Sequence, residues 1–257
     1  MLEFRHLQLR VRDLARSVDF YARQLGFRLV HQAAGHAELA AQVGGAVLLT
    51  LVEDRSAQPA PPDAAGLFHS ALLLPSRAAL GRWVRGTADA GVEFDGFSDH
   101  GVSEAVYLSD PDGNGLEFYA DRAPEAWPRA KGEIAMFTRP LDMPGLLAAG
   151  ATVPAGPLLA GARWGHLHLR VTDLKRSDPF YQTTLGMTLT QGSYPGARFL
   201  AADGYHHHLG LNTWGQPRRA QPEGSLGLVE ATFAHSGVTA EQTLRDPDGM
   251  ALRLAPL

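Results

Sequence analysis

Two stretches of the chain carry the same alternation of apolar and polar positions. Residues 4–29 read FRHLQLRVRDLARSVDFYARQLGFRL and residues 164–189 read WGHLHLRVTDLKRSDPFYQTTLGMTL; at a fixed offset of 160 residues, 14 of these 26 positions are identical. Each copy opens on a period of two, which in the first runs His6, Leu7, Gln8, Leu9, Arg10, Val11 and predicts a strand with one buried face. Asp13 or Asp173 follows and suits a helix N-cap. Leu14, Val18, Tyr21 and Leu25 then recur at helical spacing, and Gly26 or Gly186 marks the stop.

A weaker repeat closes the units. Residues 110–117 read DPDGNGLE and residues 246–253 read DPDGMALR, in each case a tight turn followed by an apolar strand. The chain therefore divides into four units, 1–54, 66–122, 163–215 and 224–257. Units 1 and 2 make one half, 1–122, and units 3 and 4 the other, 163–257. The segment between them, 123–162, is rich in Pro, Ala and Gly and reads as a connector. Between Phe233 and Thr243 there is no room for a full helix, so unit 4 is expected to be truncated.

Composition narrows the classes. Of 257 residues, 45% are apolar and 19% charged, which permits a sizeable core. At roughly 150 residues per domain this is one large domain or two small ones. The balance of 23 basic and 27 acidic residues, a net of -4, argues against a strongly basic nucleic-acid surface. No apolar run approaches the length of a membrane span. The opening MLEFRHLQLRVRDL is too charged for a signal peptide, so a cytoplasmic protein is expected. Cysteine is absent, which excludes disulfides, thiolate nucleophiles and Fe–S clusters and leaves His, Asp and Glu to hold any metal.

Three histidines open strands: His6, His69 and His166. Glu117 lies between Leu116 and Phe118, and a carboxylate in an apolar strand is costly unless paired or metal-bound. Two His and one carboxylate with open positions suit Fe(II) or Mn(II). The position matching Glu117 is about Thr50 in unit 1 and Arg253 in unit 4, and neither binds a cation. Unit 4 also opens, in GSLGLVEATF, without a His, which argues against a site built from units 3 and 4. The residues alone leave two pairings: unit 1 with 2, using His6, or unit 3 with 2, using His166.

The His-led strand, the Asp-Leu helix start, Phe-Tyr, Leu-Gly and the closing DPDGNGLEFY resemble the vicinal oxygen chelate superfamily, which includes glyoxalases, fosfomycin and bleomycin resistance proteins and extradiol dioxygenases. The resemblance implies an α+β fold: four βαβββ modules, the fourth truncated, paired into two curved-sheet half-barrel domains. The segments GLFHSALLLP, SDHGVSEAVYLSDPDGNGLEFYADR and GYHHHLGLNTW are most similar to two-domain catechol 2,3-dioxygenases of bacteria. By that resemblance His69 and Glu117 are metal ligands. FLAADGYHHHLGLN resembles the segment bearing the catalytic acid–base histidine, here His207. The equivalent stretch of unit 1, LAAQVGGAVLLTL, has no His, which favours His166 over His6 as the third ligand. Tyr107, ten residues before Glu117, matches a tyrosine that hydrogen-bonds a metal-bound substrate oxygen. His100 resembles the histidine that contacts bound catecholate or oxygen, at a slightly different spacing.

The implied activity is ring cleavage of a small aromatic diol with O2 by Fe(II), with Mn(II) also compatible. No nucleic acid or membrane is implied, and a homodimer is the commonest assembly for such chains. His168, on the face of His166, is a reserve ligand. His206 and His208 would alternate away from His207 on a strand, which assigns them structural or rim positions. Two other readings stand beside this one. A glyoxalase-type isomerase usually needs a fourth protein ligand, a carboxylate at the Thr50 position or its equivalent. A non-catalytic protein that binds a small aromatic or an antibiotic would lack the full metal set.

Overall fold

The computed structural model describes residues 1–216 and 219–257. Module 1 runs β1 (Leu2–Val11), α1 (Leu14–Asp19), β2 (Arg28–Ala33), β3 (His36–Ala40) and β4 (Val47–Glu53). Module 2 runs β5 (Gly66–Leu73), α2 (Arg77–Asp89), β6 (Gly96–Asp99), β7 (Ser103–Ser109) and β8 (Gly115–Asp121). A short hairpin of β9 (Arg129–Ala130) and β10 (Glu133–Ile134) and the helix α3 (Met143–Gly150) follow. Module 3 is β11 (Arg163–Arg170), α4 (Leu174–Leu185), β12 (Thr188–Gln191), β13 (Ala197–Ala201) and β14 (Leu209–Asn212). Module 4 keeps β15 (Gly227–His235), β16 (Gln242–Arg245) and β17 (Ala251–Ala255), with no helix among the described residues.

The repeated helix starts form as the sequence requires. Asp13 accepts from the Arg16 amide and Asp173 from the Lys175 amide, and Gly186 ends α4 in the left-handed conformation. The first helix departs from regular geometry: after Asp19 it widens into a π-turn over Phe20–Gln24, which buries both Phe20 and Tyr21. The connector is also more structured than its composition indicates. α3 packs on α2, where Gly81 and Gly150 bring the two backbones together, and Trp127, Ile134 and Met136 join a small core with Ala197 and Phe199.

Two large sheets carry the fold. One has the order β16-β17-β15-β1-β4-β3-β2 and the other β12-β13-β14-β11-β5-β8-β7-β6. Module 1 therefore pairs with module 4, through antiparallel β1 and β15, and module 3 with module 2, through antiparallel β11 and β5. Each sheet takes one module from each half of the chain. In the second sheet, Leu167 and Leu169 of β11 with the adjoining Val171, Leu72 of β5 and Leu116, Phe118 and Ala120 of β8 belong to the helix-covered core. Alternation sends His166 and His168, His69 and Ala71, and Glu117 and Tyr119 to the opposite, concave face.

Within each half of the chain, other contacts tie its two modules across the two sheets. Tyr21 donates to the buried Asp110 at 3.0 Å, and its repeat partner Tyr181 donates to Asp246 at 2.9 Å. Arg16 bonds Asp112 and Arg176 bonds Asp248. The Phe-Tyr and DPDG motifs are thus two ends of one contact, made once in each half. Phe4 and Trp164, also repeat partners, stack across the seam of the sheets at 5.5 Å.

Burial raises the pKa of both aspartates against the donors that surround them, so neither side chain has water to replace a lost partner. Tyr21→Phe and Tyr181→Phe are expected to destabilise the protein by similar amounts, about 1–3 kcal/mol each. Urea denaturation of the two variants measures this, and a cost at one site alone would show that the two contacts are not equivalent.

Candidate metal centre

The register of three neighbouring strands builds one cluster. On β5, His69 and Ala71 share a face. Ala71 is opposite His166 on β11 and opposite Glu117 on β8. The three polar side chains therefore surround a fully buried alanine. The Nε2 of His69 lies 3.0 Å from Glu117 Oε2, the Nε2 of His166 lies 3.2 Å from the same oxygen, and the two Nε2 atoms are 3.4 Å apart. His69 is 7% exposed, His166 2% and Glu117 2%.

These separations test the cluster as a metal site. Donors on one face of an octahedron, about 2.1 Å from its centre, lie about 3.0 Å from each other. The observed triangle, 3.0 to 3.4 Å on a side, has that size. The charge state also fits. Burial alone would raise the Glu117 carboxyl, but the His166 and His69 imidazoles bonded to it hold it well below the usual carboxylate range. Burial pushes His166 below its ordinary value despite the pull of Glu117, so its imidazole is neutral, as a metal ligand must be. A divalent cation would balance the buried carboxylate.

His166 is bonded at Nε2 alone, and no hydrogen bond fixes the other side of its ring, where Nδ1 is buried without a partner among the described residues. Packing holds it instead. The Tyr119 ring lies 4.9 Å from it and the His207 ring 4.1 Å. Tyr119 can reach there because residue 165 is glycine: a Cβ at that position would sit 1.7 Å from the Tyr119 hydroxyl oxygen.

The cluster opens into a cavity of about 290 Å³ whose walls include Phe68, Met136, Thr138, Tyr194, Phe199 and Trp214. Tyr107 faces it from β7, directly opposite Glu117 across the hairpin closed by the DPDG turn, which is what the ten-residue spacing encodes. Its hydroxyl lies 2.6 Å from His100 Nε2, while His100 Nδ1 lies 2.7 Å from the Phe137 carbonyl. A carbonyl only accepts, so Nδ1 carries a proton, which leaves Nε2 as the acceptor for the Tyr107 hydroxyl. His207 is buried at the cavity wall, and burial, with His166 and His206 nearby, pushes its pKa well below the ordinary value.

His168 lines the same cavity but stands outside the triangle, its Nε2 accepting from Asn212 Nδ2 at 3.0 Å. His6 is in the other sheet, 2.8 Å from Thr50 Oγ1. There the counterparts of His69 and Glu117 are Glu230 and Arg253, which form an ion pair at 2.7 Å. One expectation is corrected. Residues 205–208 do not form a strand, so alternation does not separate the three histidines: His206 is fully buried and its Nδ1 lies 2.7 Å from His207 Nδ1. The sequence reading offers Trp214 as a pocket residue but misses other parts of the cavity wall. Met136 and Thr138 come from the connector, where nothing signals a site, whereas Tyr119 and Asp121 follow Glu117 at the strand period and were open to inference.

Paired βαβββ modules around a buried His–His–carboxylate cluster define a class of metal-site proteins. A model of the Glyoxalase/Bleomycin resistance protein/Dioxygenase superfamily matches residues 3–118 and 163–251, and the chain belongs to that superfamily. It is 42% identical over 259 residues to a Bacillus subtilis (strain 168) protein named catechol-2,3-dioxygenase, covering 93% of this chain and 90% of that one. Its fold is similar to that of a protein of Bacillus subtilis subsp. subtilis str. 168 provisionally described as a dioxygenase (TM-score 0.67, 14% identity, covering 99% of this chain and 84% of that one). It is also similar to glyoxalase I of Zea mays (TM-score 0.59, 17% identity, covering 100% and 92%). At these identities the solved structures show the fold alone. No helix among the described residues is long and apolar enough to cross a membrane.

Ala71→Leu places a branched side chain at the centre of the triangle. Bound metal is expected to fall from about one per chain to near zero with the circular dichroism unchanged, while Ala71→Gly retains it. Elemental analysis of the two proteins decides whether the centre lies over Ala71.

Proposed function

We propose that the protein is an extradiol dioxygenase acting on a small catechol-type diol, with Fe(II), or Mn(II) in its place, held by His69, His166 and Glu117. The observation that carries this reading is the placement of a facial three-ligand cluster at the floor of a cavity flanked by His207 and by the Tyr107–His100 pair. A redox-active divalent metal supplies, when bound, open positions for a vicinal diol and O2 and the electron path between them.

The protein's own groups do the rest. The aromatic walls and Met136 exclude water and enclose a volume suited to a single ring. Tyr107 keeps its proton and donates a hydrogen bond to His100, which leaves the phenol oxygen to accept from a substrate hydroxyl. His207, neutral and buried, takes a proton from the substrate at one stage and returns it at another. The 42% identical relative named catechol-2,3-dioxygenase supports the same reading.

The isomerase reading is disfavoured by one position. The equivalent of Thr50 in the site-bearing sheet is Gly210, opposite His168, so the place of a fourth carboxylate ligand holds no side chain.

Anaerobically purified protein is expected to contain about one iron or manganese per chain and to consume O2 when given catechol or a substituted catechol, with a yellow ring-opened product. Metal without O2 uptake on any diol would point to an isomerase, and no metal after reconstitution would point to a binding protein. His166→Ala is expected to lose the metal and His6→Ala to keep it. His207→Ala should keep the metal and lose about 10²–10⁴-fold in turnover.

A further inference from the structure

A buried chain of hydrogen bonds runs from His207 away from the cavity. His207 Nδ1 lies 2.7 Å from His206 Nδ1, and His206 Nε2 lies 2.8 Å from Asp121 Oδ1. Tyr205 donates to the other oxygen of Asp121 at 3.0 Å, and Tyr119 lies 2.8 Å from the Tyr205 hydroxyl. None of these residues except His207 faces the metal cluster's cavity.

For a neutral His206, the Asp121 end sets the polarity of this chain. A carboxylate only accepts, so His206 Nε2 carries a proton. The Nδ1 of a neutral His206 is then an acceptor, and the proton between the two rings belongs to His207 Nδ1. The remaining nitrogen of His207, Nε2, has no partner among the described residues, and the ring lines the cavity. Its lone pair is therefore the one presented to a bound ligand.

We propose that Asp121 and His206 are positioning residues that hold His207 in the Nδ1–H tautomer and so leave Nε2 free to accept the substrate proton. The role deepens the dioxygenase reading above and rests on His207 being its acid–base group. The arrangement is rigid. His206 is fully buried between the Tyr205 ring, 4.0 Å away, and the edge of Trp127, 5.2 Å away. Asp121 is on β8 four residues beyond Glu117 and on the same face, so one strand carries both the carboxylate of the metal cluster and the carboxylate that orders the base. The wrong tautomer would point an N–H at the substrate hydroxyl and could not take its proton.

Asp121→Asn reverses the chain. Tyr205 still donates to the amide oxygen, so the amide N–H faces His206, whose Nδ1 then carries a proton toward His207. The expected result is an His207 Nε2–H tautomer, intact metal content, a kcat lower by about 100-fold and a KM for the diol within about threefold. His206→Gln keeps the polarity, since its amide donates to Asp121 and accepts from His207, and is expected to retain at least about a third of the wild-type kcat. The tautomer is read directly by 15N NMR of histidine-labelled, Zn(II)-loaded protein, with the His207 signals assigned by comparison with His207→Gln. An Nε2–H His207 in the wild type, or an Asp121→Asn protein with unchanged kcat and unchanged His207 signals, overturns the proposal. Absence of O2 uptake in the wild type would instead overturn the dioxygenase reading, and the NMR result would still decide the positioning role.

Discussion

The antiparallel pairing of β5 with β11 is the constraint on which the site depends. It joins strands from opposite halves of the chain, and its register sets His166 opposite Ala71 and His168 opposite His69. A one-residue slip would turn either strand's polar set into the apolar core and its leucines into the cavity. The leucines on the far face, Leu167, Leu169 and Leu72, are fully buried, so the core enforces the register that the metal cluster needs. The geometry of the cluster is thus set by apolar burial, and its polar side chains contribute little to choosing it.

The other sheet shows what the same scaffold does without that chemistry. Its register repeats the arrangement: His6 is opposite Thr232, and Thr232 is opposite Arg253, with Glu230 two residues before Thr232. Glu230 and Arg253 take the places of His69 and Glu117. A guanidinium there supplies internally the positive charge that the first cluster would take from a metal, and the Glu230 carboxylate pairs with it at 2.7 Å. His6, left without a carboxylate bonded to it, settles on Thr50. The loss of one carboxylate and its replacement by a cation therefore closes the second cluster by charge balance alone.

Much of this was legible in the sequence, because it rests on local signals. Period-two alternation, the Asp caps, the glycine stops and the DPDG turns gave the modules and their faces, and the missing helix of module 4 followed from the length between Phe233 and Thr243. Tyr107 and Glu117 were readable together because a hairpin converts spacing into opposition, and His69 because it opens a strand. The contacts that were not legible are long-range or irregular. Nothing in residues 123–162 indicates that Met136 and Thr138 wall the cavity or that the Phe137 carbonyl fixes the His100 tautomer. The relation of His206 to His207 was misread because the turn at Asp203 and Gly204, both at positive φ, leaves residues 205–208 without strand geometry.

One position separates the chemistries available to this fold. A Cβ at Gly210 would lie 2.8 Å from the His168 ring, so glycine there makes room for His168 to lie against β14 and take its bond from Asn212. A carboxylate at 210 could serve as a fourth ligand only by displacing that ring. Its absence leaves the three residues His69, His166 and Glu117, and a metal held by three such residues would keep open positions for the chelating diol of the proposed function. His207 lies beside His166 on the cavity wall, where the proposed function needs a proton acceptor for a substrate with ionisable oxygens. The glycine at 210, the histidine it admits and the His207 ring at the cavity wall are all consistent with the proposed substrate chemistry.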